Sequence, residues 1–258
     1  MAEIDTSGPT VTRRINLASY PCPSKLSLSG NRLWVGYGCA GTWGGGVIGL
    51  DITAPASQPV EVGPGMYGAP LVAAAGDTLV TSGSDDSQGD LTVYDTSATP
   101  ATLRGVIDGQ TNALGTLKDL TLTSDGTKAI AAFDYWESYA YEARDTTTLT
   151  RARRYSGDET STDPQAVAVS SDGAHIAGAR GDTYGSAVAL YDAAATTLTY
   201  TNADPNRAVL PGTLAFSGND LFGVVRQQLT GELHLWRMQG RHLAGIHPDR
   251  DGSPRGEG

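Results

Sequence analysis

The chain has 258 residues, enough for one large β domain, since all-β folds of this size often stay undivided. Thirty-three glycines and 13 prolines, against 39% hydrophobic residues, suit many short strands joined by tight turns. A net charge of −10 argues against nucleic-acid and anionic-membrane partners, which call for a basic face, and no apolar run approaches the ~18 residues of a membrane helix.

The first residues, MAEIDTSGPT, show neither a charged nor an apolar signal-peptide region. The expectation is a cytosolic chain as written, or one whose export signal lies outside these residues. Residues 1–10 are expected to be disordered. VTRRINL (Val11–Leu17) then reads as an outer strand without its sheet.

From Leu26 onward one pattern recurs five times. Its clearest copy is AVAVSSDGAHIAGARGDTYGSAVALYD (Ala166–Asp192): a short alternating strand, a turn at Ser171–Ala174, a second strand, a loop at Gly181–Gly185, and a third strand closing on Asp192. The other copies begin at Leu26, Leu71, Leu120 and Leu214. The turn glycines Gly30, Gly76, Gly126, Gly173 and Gly218 are 46, 50, 47 and 45 residues apart. The strand-ending aspartates Asp51, Asp95, Asp145 and Asp192 are 44, 50 and 47 apart. Two independent anchors keep one period. Fourth strands fall between copies, at Gln58–Val62, Ala101–Ile107, Leu149–Tyr155 and Leu198–Asn202.

Four antiparallel strands at this period predict an all-β chain of propeller blades, because one sheet cannot bury both faces while radially stacked sheets cover each other. The propeller is expected over residues 11–239, with about five blades, as a ring of its own or as part of a seven-bladed one. Leu28, Val35, Ile48, Leu122, Ile130, Val169 and Ile176 are the expected core. The fifth copy lacks its outer strand, so Val11–Leu17 is expected to supply it and close the ring. The tail, residues 240–258, has no periodicity and reads as disordered.

The loops before each first strand and after each second strand share one face. That face collects Tyr20, Trp43, Met66, Tyr67, Asp85, Asp86, Tyr135, Trp136, Asp182 and Tyr184 as candidate binding residues. Exposed aromatics there can stack on a sugar or anchor a protein, or can pack on a neighbouring blade.

Cys22 and Cys39 flank the first hairpin. Counting outward from its turn at Gly30-Asn31 sets them opposite each other on a non-hydrogen-bonded pair, where Cα atoms approach most closely. That separation fits a disulfide; the alternative is two free buried thiols. A disulfide would point to an oxidising compartment.

Other motifs read as structural. Gly36-Tyr37-Gly38-Cys39-Ala40-Gly41 spells GxGxxG without the helix that a dinucleotide site needs. The strand-ending aspartates suit turn capping. Asp85, Asp86 and Asp90 lack Ca²⁺-ligand spacing. His175 and His234 lie in different copies, and no nucleophile arrangement is readable, so no catalytic residue, metal or cofactor is expected.

The repeats resemble bacterial YVTN/WD40-like β-propellers. Tyr20–Ile52, YPCPSKLSLSGNRLWVGYGCAGTWGGGVIGLDI, is similar to the propeller part of exported actinobacterial proteins that carry Ig-like repeats. The resemblance covers about Val11 to Trp236. It implies a secreted or surface-exposed, non-enzymatic propeller with a Cys22–Cys39 bridge. The leading expectation is a binding scaffold with a protein or glycan partner on the loop face. The alternative is a propeller-scaffold hydrolase or lyase with a central metal or carboxylate site. Fold alone does not choose between them.

Overall fold

Each repeat begins with a hairpin whose geometry its glycine permits. Gly30, Gly76 and Gly218 hold φ of 55°, 53° and 57° in the two-residue turns between Ser29 and Arg32, Ala75 and Thr78, and Ser217 and Asp220. The third and fourth copies use a longer turn, in which Asp125 and Asp172 accept the backbone N–H of Thr127 and Ala174, both at 3.0 Å. The computed structural model describes residues 1–5, 7–8, 10–54, 58–82, 89–109, 115–135, 141–155, 164–182, 185–204 and 207–239.

All the described elements are strands. A two-stranded hairpin, β1 (Ala2–Asp5) and β2 (Thr10–Arg14), precedes five sheets. Blade one is β3 (Lys25–Ser29), β4 (Arg32–Tyr37), β5 (Trp43–Asp51) and β6 (Val60–Tyr67). Blade two is β7 (Val72–Ala75), β8 (Thr78–Ser82), β9 (Leu91–Asp95) and β10 (Thr102–Ile107). Blade three is β11 (Gly115–Leu122), β12 (Lys128–Tyr135), β13 (Tyr141–Asp145) and β14 (Thr150–Tyr155). Blade four is β15 (Pro164–Val169), β16 (His175–Asp182), β17 (Gly185–Asp192) and β18 (Leu198–Asp204). In these four, every strand pairs antiparallel with its sequence neighbour.

Blade five differs. β19 (Arg207–Val209) and β20 (Ala215–Ser217) pair in tandem with one edge of β21 (Asp220–Gln227), and β22 (Leu233–Met238) pairs with the other. The inner strand is broken around Pro211, which has no N–H to donate. The Thr213 hydroxyl accepts the Val224 N–H there at 3.2 Å. The repeat pattern does not mark β19 as a strand.

The core is built between blades. Trp34, Val47 and Val62 meet Val72, Leu79 and Tyr94 between blades one and two. Leu91, Val93 and Ile107 meet Leu120, Leu122 and Phe133 between two and three. Ile130, Tyr141 and Tyr155 meet Val167, Ile176 and Tyr191 between three and four. Leu190 and Val188 meet Val209, Leu221 and Met238 between four and five. Of the expected core, Val35, Ile48, Leu122, Ile130 and Ile176 are buried, and Val169 packs partly buried.

Two expectations fail at the remaining seam. Leu28 is 58% exposed, and so is Leu26 beside it. Both share the blade-one face of Val35 through the pairs Leu28↔Leu33 and Leu26↔Val35. Among the described residues that face is covered by the N-terminal segment, with Leu17, Ile15, Met1 and Tyr20 lying on Val35, Tyr37, Ile48 and Leu50. The cover does not reach Leu26 and Leu28.

Nor does Val11–Leu17 close the ring. Thr10–Arg14 pairs with Ala2–Asp5 instead. The Met1 ammonium donates to Ile15 O at 3.0 Å, and Arg13 donates to Ile52 O at 2.9 Å. A hairpin of a few residues costs far less closure entropy than joining the two ends of the chain.

The four strand-ending aspartates cap turns as expected. Asp192 accepts the N–H groups of Ala195 at 2.7 Å and Ala194 at 2.8 Å, and these hold its carboxyl below the usual range. A depressed folded-state pKa gives stability that is present above the unfolded value, about 4, and lost as pH falls through the folded value. Asp192→Ala should therefore lower Tm at pH 7, and the difference from the unsubstituted chain should shrink toward zero as melting is followed down to about pH 2. A Cβ at Gly178 would stand 2.1 Å from Cζ of the buried Tyr141 ring. Gly178→Ala should destabilise by about 2 kcal/mol in denaturant melts.

Candidate functional site

The most fully built surface site lies at the end of blade one. β3 and β4 keep the two-residue-turn register out to Lys25↔Gly36. Beyond it, Ser24 N–H bonds Gly36 O at 3.0 Å and Gly38 N–H bonds Pro21 O at 2.8 Å. This shifted ladder carries Cys22, at φ 50°, against Cys39. The two form a disulfide with Cα atoms 5.0 Å apart.

Past the bridge, Thr42 closes a turn onto Cys39 O through its N–H at 3.2 Å and its hydroxyl at 2.8 Å. Thr42 O then accepts Gly68 N–H at 2.8 Å, which ties the start of β5 to the end of β6. Trp43 and Tyr67, expected on loops, are instead paired strand ends. Their rings meet edge to face, with centroids 5.3 Å apart at 66°. Trp43 remains 70% exposed and Tyr67 41%.

Tyr20 has a different role. Its ring stands edge-on to Tyr37 at 5.0 Å, within the N-terminal cover of blade one. The Tyr37 hydroxyl donates to Glu61, and burial together with that carboxylate pushes the phenol well above its usual range. Met66, also expected on the face, is buried. Tyr135 and Asp182 end β12 and β16, and their side chains lie outside the described residues. Asp85, Asp86, Trp136 and Tyr184 fall wholly outside them.

Two groupings were not foreseen. The inner ends of all five blades line a channel of about 400 Å³, including Lys25, Val72, Asp119, Val167 and Gly212. Asp119 accepts Val167 N–H at 2.9 Å, and burial pushes its carboxyl up despite that donor and Lys25. The signal in the sequence was a carboxylate breaking the alternation of TLKDLTLT. The second grouping is Glu142, fully buried, which accepts from Arg151 Nε at 3.0 Å and Arg154 Nε at 3.1 Å. Arg144 lies over the Phe133 ring at 4.5 Å and donates to Gly89 O at 2.7 Å, joining blade three to blade two. These contacts pack blade three against blade two. Among the described residues, no three His, Cys, Asp or Glu gather as metal ligands.

No protein-family model and no curated protein matches the chain. Solved structures do. A chain of Kuenenia stuttgartiensis hydrazine synthase aligns at TM-score 0.61 and 16% identity, over 84% of this chain and 58% of that one. A chain of a mitotic checkpoint complex aligns at 0.65 and 14%, over 92% and 68%. The Dos1 propeller aligns at 0.59 and 11%, over 90% and 61%. The chain thus spans between 58% and 68% of the length of these neighbours. At these identities the likeness shows the fold alone, and it agrees with the sheets in making this a β-propeller of about five blades.

The bridge closes a loop with a sequence separation of 17. In the chain-entropy view such a crosslink is worth about 3 kcal/mol at most. Cys22→Ser/Cys39→Ser should lower stability by up to about that amount, and reductant should lower the Tm of the unsubstituted chain but not of the double variant.

Proposed function

We propose that this chain is a non-enzymatic binding or scaffolding propeller, working outside the cell or at its surface, and that the Trp43–Tyr67 pair anchors a protein or glycan partner. The observation that carries the proposal is an aromatic ring 70% exposed yet held in place. Trp43 is braced edge-on by Tyr67, and the Thr42 turn ties its strand end to the bridged hairpin. A large amphipathic ring fixed before binding contributes contact area at little cost in lost freedom, which is the physics of an interface anchor. The disulfide supports an oxidising location. The net charge of −10 disfavours polyanionic partners. One of the similar chains belongs to a multiprotein complex, in keeping with a scaffolding role.

The test is binding on a glycan array and photo-crosslinking to surface proteins from a benzophenone placed at position 67. Trp43→Ala should weaken the captured interaction about 10- to 100-fold with Tm unchanged. Binding that survives both Trp43→Ala and Tyr67→Ala at full strength would remove the proposal.

A further inference from the structure

The channel brings one cation and one anion together without pairing them. Lys25 and Asp119 stand at the same place in their repeats, the fifth pair from the turn, counting from Ser29↔Arg32 in blade one and from the bonded Thr123 and Lys128 in blade three. Both therefore enter the channel at one level. The point where a Cβ of Gly212 would stand is 3.3 Å from Lys25 Nζ and 3.6 Å from Asp119 Oδ1, so the two charges lie within about 7 Å of each other. Gly212 is itself held by its N–H on Gln165 O at 3.2 Å. Among the described residues, neither charge is in ion-pair contact with the other or with a third group.

The packing of the blades does not call for these charges. Asp119 Oδ2 accepts Val167 N–H at 2.9 Å and so stitches blade three to blade four. Ser27 Oγ does the same between blades one and two, accepting Ala74 N–H at 2.9 Å. A hydroxyl therefore suffices for such a bond. Asp119 brings in addition a second oxygen and a negative charge that burial opposes, so a further cation beside it would be stabilising. Leu26, 58% exposed, is part of the same channel wall.

We propose that the channel binds a free α-amino acid with an apolar side chain, its ammonium at Asp119 Oδ1 and its carboxylate at Lys25 Nζ. A metal cation meets repulsion from Lys25 and an inorganic anion meets it from Asp119, whereas a neutral ligand leaves both charges unanswered. Two charge-assisted bonds of about 2.8 Å, joined through the gap of about 3 Å between the nitrogen and a carboxylate oxygen of an α-amino acid, span the site along a bent path. An amino acid with its charges farther apart, such as ε-aminocaproate, overshoots it. Leu26, Leu71 and Leu214 offer the ligand side chain an apolar wall, and a volume of about 400 Å³ is that of a small-molecule pocket. The site is separate from the Trp43–Tyr67 pair and does not depend on it.

Isothermal titration calorimetry and thermal melts of the full chain with L-leucine, L-valine and L-methionine at millimolar concentration test this. At least one of the three should bind saturably and raise Tm. Its N-acetyl form, which lacks the cation, its amide, which lacks the anion, and ε-aminocaproate should not. Lys25→Met and Asp119→Asn should each weaken binding at least about tenfold. The unliganded Tm should stay close to that of the unsubstituted chain, since Asn keeps a carbonyl oxygen for the Val167 N–H. If none of the three amino acids binds, the proposal falls. It falls equally if the acetylated or amidated form binds as tightly as the free amino acid, or if both variants bind with unchanged affinity.

Discussion

A four-stranded sheet with two apolar faces is stable only if both are covered, and this protein meets that requirement by radial repetition. Blades two, three and four have a neighbour on each face, so each face is sealed by the same kind of alternating aliphatic and aromatic contact. Burial of one such side chain is worth about 1.5–3 kcal/mol, and each interface buries several. The ends of the series have no such symmetry. Blade one draws on Leu17, Ile15 and Met1 for its cover, while β22 keeps an open ladder and exposed leucines.

This explains what the sequence could and could not reveal. Strands and blade count were legible because each hairpin needs a glycine at its turn and the third strands of the first four copies end on an aspartate. Those residues answer to local backbone geometry, which repeats. Leu28 was misplaced because alternation tells which face a side chain takes, not whether a neighbour lies against that face. Val11–Leu17 was misplaced because an orphan strand signals a need for pairing without naming its partner. A nearby strand at Ala2–Asp5 satisfied that need. β19 was hidden by its length of three residues and the proline that follows it.

The site was legible in the same uneven way. The Cys22–Cys39 bridge was legible because the turn fixes the hairpin register as far as Lys25↔Gly36, and the shifted ladder beyond it still leaves the two cysteines within reach of each other. Trp43 and Tyr67 were picked out singly, as aromatics on one face. Their contact depends on how far β5 and β6 extend, which propensity does not set. Tyr20 was of the right type in the wrong environment, its ring consumed by Tyr37. Lys25 and Asp119 share the channel because blades one and three meet at the centre, a relation across about 90 residues that no local pattern records.

Stability resides in the stacked blades, and the N-terminal hairpin is a peripheral cover, not the closing strand of a ring. Native-state hydrogen exchange resolved by strand tests it directly. Amides of β12 and β16, paired on both edges and covered on both faces, should exchange most slowly, and those of β1 and β2 should exchange orders of magnitude faster. Protection in β2 equal to that in β12 would contradict the account, because it would make the N-terminal segment an integral strand of a closed propeller.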